Sequence, residues 1–288
     1  MITADYEEVL SVKNENTMDL IQVGVFRSMS KSIYIGIDGC KGGWVAAILE
    51  NDTLHIKPYK TIADLFKDYP KPDVCLIDMA IGLPETDSKV RPDSIARRQL
   101  GKKGSSVFPV PSRRAVGVET KNRSIQEIQK EQKCKNGEAL GKSLSQQSLA
   151  IIPKMKELDE FLEVHAEYRE VMLESHPELC FARLKGAVLF SKKSRKAGRD
   201  ERIDVLKDEK VIDENFNVLA EARQCKDKYD CVCKPDDILD AIVLAVTARL
   251  KAQGQCEIIH ADMTVSPNPP VDAKGLKMQM VVPKEKRP

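Results

Sequence analysis

From Ser32 onward, apolar and polar positions alternate. Ile33, Ile35 and Ile37 are separated by Tyr34, Gly36 and Asp38, the period-two pattern of a strand. Gly39-Cys40-Lys41-Gly42-Gly43 reads as a turn, and Trp44 to Leu49 as a second strand closing a hairpin. Asn51-Asp52 makes another turn, and Thr53 to Tyr59 is a third strand. Thr61 to Asp68 reads as a short helix with Thr61 as its cap. Val74 to Ile77 is a short, continuously apolar run, as expected of a buried central strand. This order predicts three antiparallel strands, then a helical crossover to a parallel fourth. A loop-rich stretch with Pro84, Pro92, Pro109 and Pro111 follows. Beyond it lies a long helical stretch, clearest over Ser143 to Val164. Further on, the pattern predicts a strand over Tyr168 to Leu173 and a helix over Pro177 to Lys185. It then gives a polar, basic segment at 191–202, a long helix over Pro235 to Gln253 and an edge strand over Met278 to Val282.

Composition narrows this picture without changing it. With 46 Lys+Arg against 44 Asp+Glu in 288 residues, the net charge is +2. That argues against a strongly basic nucleic-acid coat or a polyacidic tail protein and leaves room for a local basic patch. No segment approaches the ~20 apolar residues needed to span a bilayer. The longest greasy segment, Ile238 to Leu250, carries Asp240 and Arg249. The first residues hold Asp5, Glu7, Glu8 and Glu15, the wrong charge for a secretory leader. Residues 1–30 lack clear periodicity and read as a mobile extension, with residues 31–283 forming the folded domain. The eight cysteines, without C-x-x-C spacing, read as reduced thiols of a cytoplasmic protein.

The chemistry is concentrated in carboxylates. In PDDILDAIVLAVTARL, Asp236, Asp237 and Asp240 can share one helix face, and no Lys or Arg follows Asp240 at i+4. The helix dipole accounts for acids in the first turn. It accounts poorly for Asp240, set among Ile238, Leu239, Ala241, Ile242 and Val243, where an unpaired carboxylate is costly. A divalent cation would relieve both the repulsion and the burial. Asp38 ends the first strand and Asp78 the fourth. Each alone is an ordinary turn or strand-end residue, but those strands are predicted neighbours. Oxygen ligands suit Mg²⁺ or Mn²⁺, and two such ions ~4 Å apart can activate water and stabilise a leaving oxygen in phosphodiester cleavage. Glu174, following the strand-like YREVML, is favoured over Glu178 as a further site residue. Glu178 lies in a helix first turn, where an acid is expected anyway. His176, between them, reads first as a structural hydrogen bonder.

GIDGCKGGW (36–44), LIDMAIGLP (76–84), RPDSIARRQLG with SSVFPVPSR (91–113), ESHPELCFARL (174–184), SKKSRKAG (191–198) and DDILDA (236–241) occur in that order. This set strongly resembles the domain-of-unknown-function family 429, whose members are described as predicted nucleases with an RNase H-like fold. The resemblance covers about residues 32–283. It implies an α/β domain: a mixed five-stranded sheet, three antiparallel strands then parallel ones, flanked by helices and carrying helical and basic-loop insertions. It implies a metal site with Asp38 on the first strand, Asp78 on the fourth and acids on a late helix. DDILDA also looks like the last catalytic helix of RuvC-type resolvases, with two aspartates three apart followed by alanine, which points to Asp237 and Asp240. Asp78 departs from that pattern, which has glutamate at the fourth strand.

On the substrate side, Arg97, Arg98, Lys102, Lys103, Arg113 and Arg114 are candidate phosphate holders, with Ser105 and Ser106 as added donors. Lys192, Lys193, Lys196 and Arg199 form a similar set, and Lys41 sits in the glycine turn. As single residues these are ordinary surface positions. Together, opposite an acidic site, they make a track for DNA or RNA whose binding weakens with salt. Trp44 can stack a base, though a large ring on a hairpin more often packs. Cys225, Cys231 and Cys233 offer C-x-C without a matching pair, a weak signal for soft-metal binding.

Three readings follow. The first is a nuclease using Asp38, Asp78, Asp237 and Asp240, assisted by Glu174 or Asp236, with Mg²⁺ or Mn²⁺. The second is a nucleotide-binding ATPase or kinase-like protein on a related sheet; against it, no second phosphate loop is evident. The third is a nucleic-acid-binding module without catalysis.

Overall fold

A computed structural model of the chain describes residues 31–285 apart from 230, 262, 264 and 265. The extension expected over residues 1–30 lies outside the described residues. The chain begins with β1 (Ile33–Cys40), β2 (Gly43–Glu50) and β3 (Thr53–Tyr59), followed by α1 (Ile62–Asp68) and β4 (Val74–Ile77). Next come α2 (Asp93–Leu100), α3 (Arg113–Val116), α4 (Ile125–Leu140) and α5 (Gln146–Val164). The second half holds β5 (Met172–Glu174), α6 (Pro177–Lys185), α7 (Lys196–Asp208), α8 (Val218–Tyr229) and α9 (Pro235–Ala252). It ends with β6 (Cys256–His260) and β7 (Gln279–Pro283).

The main sheet has the order β3-β2-β1-β4-β5. β1 pairs antiparallel with β2 and parallel with β4; β2 pairs antiparallel with β3, and β4 parallel with β5. This is the mixed five-stranded, helix-flanked arrangement of an RNase H-like fold. The hairpin turn is Lys41-Gly42, where φ is +94° at Gly42, a conformation glycine adopts without steric cost. The Thr61 hydroxyl caps α1, accepting from the Asp64 N–H at 3.1 Å.

Alternation decides which residues face which layer. Ile35, Ile37, Trp44, Ala46, Ile48, Cys75 and Ile77 pack in the layer that contains residues of α1 and α5. Val45, Ala47, Leu49, Leu76 and Leu173 pack in the other, against α9. Gly36 lies on the α9 face. A Cβ there would overlap the backbone of Ala241 and Ala245, so its absence lets the helix axis approach β1 closely. Asp38, two residues on, shares the face of Gly36, and Asp78 shares the face of Leu76.

α9 is buried along nearly its whole length, including Ile238, Leu239, Ile242, Val243, Leu244 and Val246. Each such side chain contributes roughly 1.5–3 kcal/mol. Their sum offsets the cost of burying Asp240 in the same helix.

Three elements differ from the expected pattern. The strand expected over Tyr168 to Leu173 is only Met172–Glu174, preceded by a 3₁₀ turn over Ala166–Tyr168. Tyr168 is drawn into an aromatic cluster, its ring centroid 4.2 Å from that of Phe66. The expected edge strand is β7, which pairs with β6 in a separate two-stranded ribbon and meets the main sheet through a Ser175–Val281 bridge. The polar segment 191–202 runs into α7, anchored by the fully buried Arg202, whose guanidinium donates to Glu178 at 2.5 Å.

Candidate functional site

The carboxyl ends of β1 and β4 open into a cleft of about 220 Å³. Asp38, Asp78, Ser106, Lys154, Glu174 and His176 are among its lining residues. Asp38 is buried, and one of its oxygens accepts the Gly39 N–H at 2.7 Å. Asp78 keeps some solvent contact. Asp240 approaches from α9 with 0% exposure. One of its oxygens is held by the Lys193 ammonium; the other, Oδ1, is buried with no hydrogen-bond partner.

The electrostatics of the group agree with its geometry. Burial first, then the neighbouring Asp78 and Asp240, holds the Asp38 carboxyl well above the usual range, against the pull of Lys193. Burial raises Asp78 too, opposed by His176 and Lys193. Burial pushes Asp240 up to about 7 despite its Lys193 partner, with Asp78 and Glu178 adding repulsion. Asp237 is raised by burial, opposed by the Lys234 N–H, which it accepts at 2.9 Å as the cap of α9. It adds to the negative field at Asp38. Asp236, half-buried beside it, acts on Asp237 rather than on the strand acids.

Such a set of hard oxygen donors, mutually repelling and with an orphaned buried oxygen, fits a divalent cation. Its ligand oxygens are not gathered as tightly as in a preformed cage. Among the described residues, the group of three donors within 4.8 Å of one another is made of thiols, not carboxylates. Lys193 supplies positive charge among the acids in their place, acting on Asp240, Asp38 and Asp78 together. The Lys192 carbonyl holds that loop close to Gly198, where a Cβ would overlap it.

Glu174 has a different setting from the aspartates. Alternation turns it onto the face of Met172 and Ile77, opposite the α9 layer. Both its oxygens accept from Arg91, at 2.6 and 2.8 Å, and one also accepts the Ile81 N–H at 2.8 Å. Arg91 further donates to the carbonyls of Ile81 and Gly82 and to Asp93. Glu174 therefore locks the loop after β4 in place while touching the cleft wall. Burial pushes it up to about 7 even so, against Arg91. Glu178, ranked below it on sequence, is the glutamate whose charge reaches Asp78 and Asp240. One of its oxygens is held by Arg202.

The expected phosphate holders divide. Lys193 joins the acids. Ser106 lines the cleft, and its hydroxyl donates to the Lys103 carbonyl at 2.9 Å. Lys41, Arg98, Ser105 and Lys192 are exposed. Arg97 is half-buried, its Nε donating to the Val107 carbonyl at 3.0 Å. Arg113 is drawn into the fold by Glu85, Asp159 and Asp272, so its guanidinium is engaged by three carboxylates. Trp44 is fully buried, donates to Glu157 at 3.1 Å and carries the Lys154 ammonium 4.4 Å over its ring, which settles its role as packing.

Sequence patterning does not mark Lys154 or Arg91. Lys154 sits mid-helix in α5 with no motif around it. Arg91 opens RPDSIARRQLG, where Arg97, Arg98, Lys102, Lys103, Arg113 and Arg114 nearby conceal the one arginine that is fully buried. His176 is buried and lines the cleft beside Asp78. Its Nε2 lies 3.4 Å from the Ser106 carbonyl and its Nδ1 has no partner.

No helix of the described residues is long and apolar enough to cross a membrane. No curated protein and no solved structure matches the chain. One family model does, over residues 36–265, a span that takes in the glycine turn, both strand-end aspartates, the basic loops and the acidic helix. The chain therefore belongs to the family described as "Protein of unknown function (DUF429)".

Proposed function

We propose that the chain is a divalent-metal-dependent nuclease, hydrolysing phosphodiester bonds of DNA or RNA. The observation that carries this reading is Asp240: fully buried, with an orphaned oxygen, next to Asp38 and Asp78. A fold does not retain such a concentration of incompletely paired carboxylates for stability, and perturbed carboxylates in a cleft are the usual mark of chemistry. Asp38, Asp78, Asp237 and Asp240 would hold Mg²⁺ or Mn²⁺, with Asp236 behind Asp237. The cation would supply Lewis acidity toward a phosphoryl oxygen and a lowered pKa for water.

The chain's own residues do the rest. Asp38, on a strand core, and Asp240, on a helix packed directly against it, keep the negative field in place without reorganisation. Arg91 and Glu174 hold the loop after Asp78 at a constant distance from the sheet. His176, a cleft-lining residue beside Asp78 whose Nδ1 has no hydrogen-bond partner, is the candidate to accept or return a proton. Lys193 provides a positive charge for a phosphate, and the exposed Lys41, Arg98, Ser105 and Lys192 extend that track outward.

The test is cleavage of labelled DNA and RNA, single-stranded, duplex and branched, by wild type and a folded Asp38→Asn protein purified side by side. The reading expects cleavage only by wild type and only with Mg²⁺ or Mn²⁺. Equal cleavage by both proteins would sink it.

One observation favours a second reading. Lys193 already neutralises part of the acid group, as a permanent counter-ion would. In that case the fold binds nucleic acid without turnover. Salt-sensitive binding by a protein inert under every metal condition would select it.

A further inference from the structure

Behind the acid site lies a second group of ligands with different chemistry. Cys40 ends β1, Cys231 and Cys233 lie on the segment leading into α9, and Cys225 is on α8. All four are buried, and none is in a disulfide. The segment is strapped to the hairpin turn, with the Val232 N–H donating to the Lys41 carbonyl at 3.4 Å. Val232 turns outward while Cys231 and Cys233, its neighbours on either side, turn inward.

The sulfur–sulfur distances are informative. Cys40 is 3.3 Å from Cys231 and 3.5 Å from Cys233, and Cys231 is 3.8 Å from Cys233. A disulfide would bring two sulfurs to about 2.05 Å. A tetrahedral zinc thiolate site, with Zn–S near 2.3 Å, sets neighbouring sulfurs about 3.8 Å apart. The trio has close to that spacing already. Cys225 interacts with Cys233 from outside that trio, which makes it the candidate fourth thiol.

We propose that Cys40, Cys231 and Cys233, completed by Cys225, form a structural site for a thiophilic d¹⁰ cation of the zinc class. On binding, each thiol that becomes a ligand releases its proton to solvent, leaving a Zn–S bond and no change of oxidation state. The thiols are buried, which suits a structural ion rather than a catalytic one. Its placement gives it a purpose. Cys40 is two residues beyond Asp38 and Cys233 four before Asp237, so one ion would fasten the start of α9 to the end of β1. This inference stands apart from the nuclease reading, because its ligands are soft sulfurs and not the aspartates.

The experiment is metal analysis of the full chain, purified without chelator or an added histidine tag, with Co²⁺ substitution as the spectroscopic readout. The expected result is about one equivalent of zinc, replaceable by Co²⁺ with intense thiolate-to-cobalt absorption. A Cys231→Ser/Cys233→Ser protein should lose at least about tenfold in metal content. Cys225→Ser should weaken it, while Cys134→Ser, at an exposed and distant position, should leave it unchanged. Asp240→Asn should keep the zinc while losing cleavage, which separates this site from the acid site. Wild type with all eight thiols reduced and no cobalt–thiolate absorption would overturn the proposal. So would a disulfide within the cluster, or metal content indifferent to the cysteine substitutions. The wild-type spectrum decides the matter even if a variant fails to fold.

Discussion

Two sets of buried carboxylates sit a few residues apart in this fold, and they are treated in opposite ways. Glu174 and Glu178 each meet a buried arginine, Arg91 and Arg202, that makes a close charge-assisted hydrogen bond. Asp38, Asp78 and Asp240 share a single lysine, and Asp240 keeps one oxygen with nothing to accept from. Asp38 and Asp240 are as buried as the two glutamates, so burial does not separate structure from chemistry. Satisfaction does. A carboxylate given its own guanidinium holds the fold together; carboxylates left to repel one another store a demand for a cation.

The comparison breaks most visibly at Arg91. Arg91→Ala should cost about 3–5 kcal/mol of stability in urea denaturation, because Glu174, Asp93 and two carbonyls lose their partner in a dry site. A loss under about 1 kcal/mol would mean that the loop after β4 is held by something else. Next in size is activity at the aspartates. Asp240→Asn should reduce metal-dependent cleavage at least about 100-fold and leave the apo fold intact, since it removes a charge the fold barely compensates. A protein that unfolds instead would place Asp240 with the structural glutamates.

Lys193 sharpens the contrast on a smaller scale. Lys193→Met removes a positive charge from beside three aspartates, so Mn²⁺ affinity, read by titration calorimetry, should rise about tenfold. Weaker binding would show that the lysine organises the site and does not compete for it.

The smallest effect concerns pH. The folded carboxyl of Asp240 sits at about 7, above its unfolded value near 3.9. A group raised in this way contributes stability fully below the unfolded value and loses it as pH rises through the folded one. Asp38, Asp78 and Asp237 are shifted in the same direction. In chelator, the melting temperature should therefore fall as pH rises from about 4 to about 7, the underlying stability dropping by up to about 1.4 kcal/mol per unit for one such group. Asp240→Asn should flatten the fall. A flat wild-type profile would contradict the repulsion described above.

The hairpin, the crossover and the long acidic helix were legible in the sequence because each is carried by local signals. Alternation marks β1, Thr61 caps α1, and apolar residues surround Asp240 in α9. The ends of the first and fourth strands followed from that order, and so did the meeting of Asp38 with Asp78. What local signals cannot carry is the pairing of distant residues. Glu174 follows an apolar run and reads as a site residue, yet one step of alternation turns it to the opposite face, where Arg91 waits from 83 positions away. Arg113 reads as a phosphate holder until three acids from three other segments claim it. Lys193 reads as one of several basic loop residues, and only the packing of Gly198 against the Lys192 carbonyl shows that its loop is held in place. The thiol group is the extreme case. C-x-C at Cys231 and Cys233 is weak alone, and the partner that strengthens it, Cys40, is 191 positions before Cys231.

The most direct test of the central claim is calorimetric titration of Mn²⁺ into the full chain at about pH 8, above the value to which burial raises Asp240, alongside Asp240→Asn. The account predicts saturable binding by wild type and a loss of at least about 100-fold in affinity in the variant, with zinc content unchanged. Equal Mn²⁺ affinity in the two proteins would contradict it.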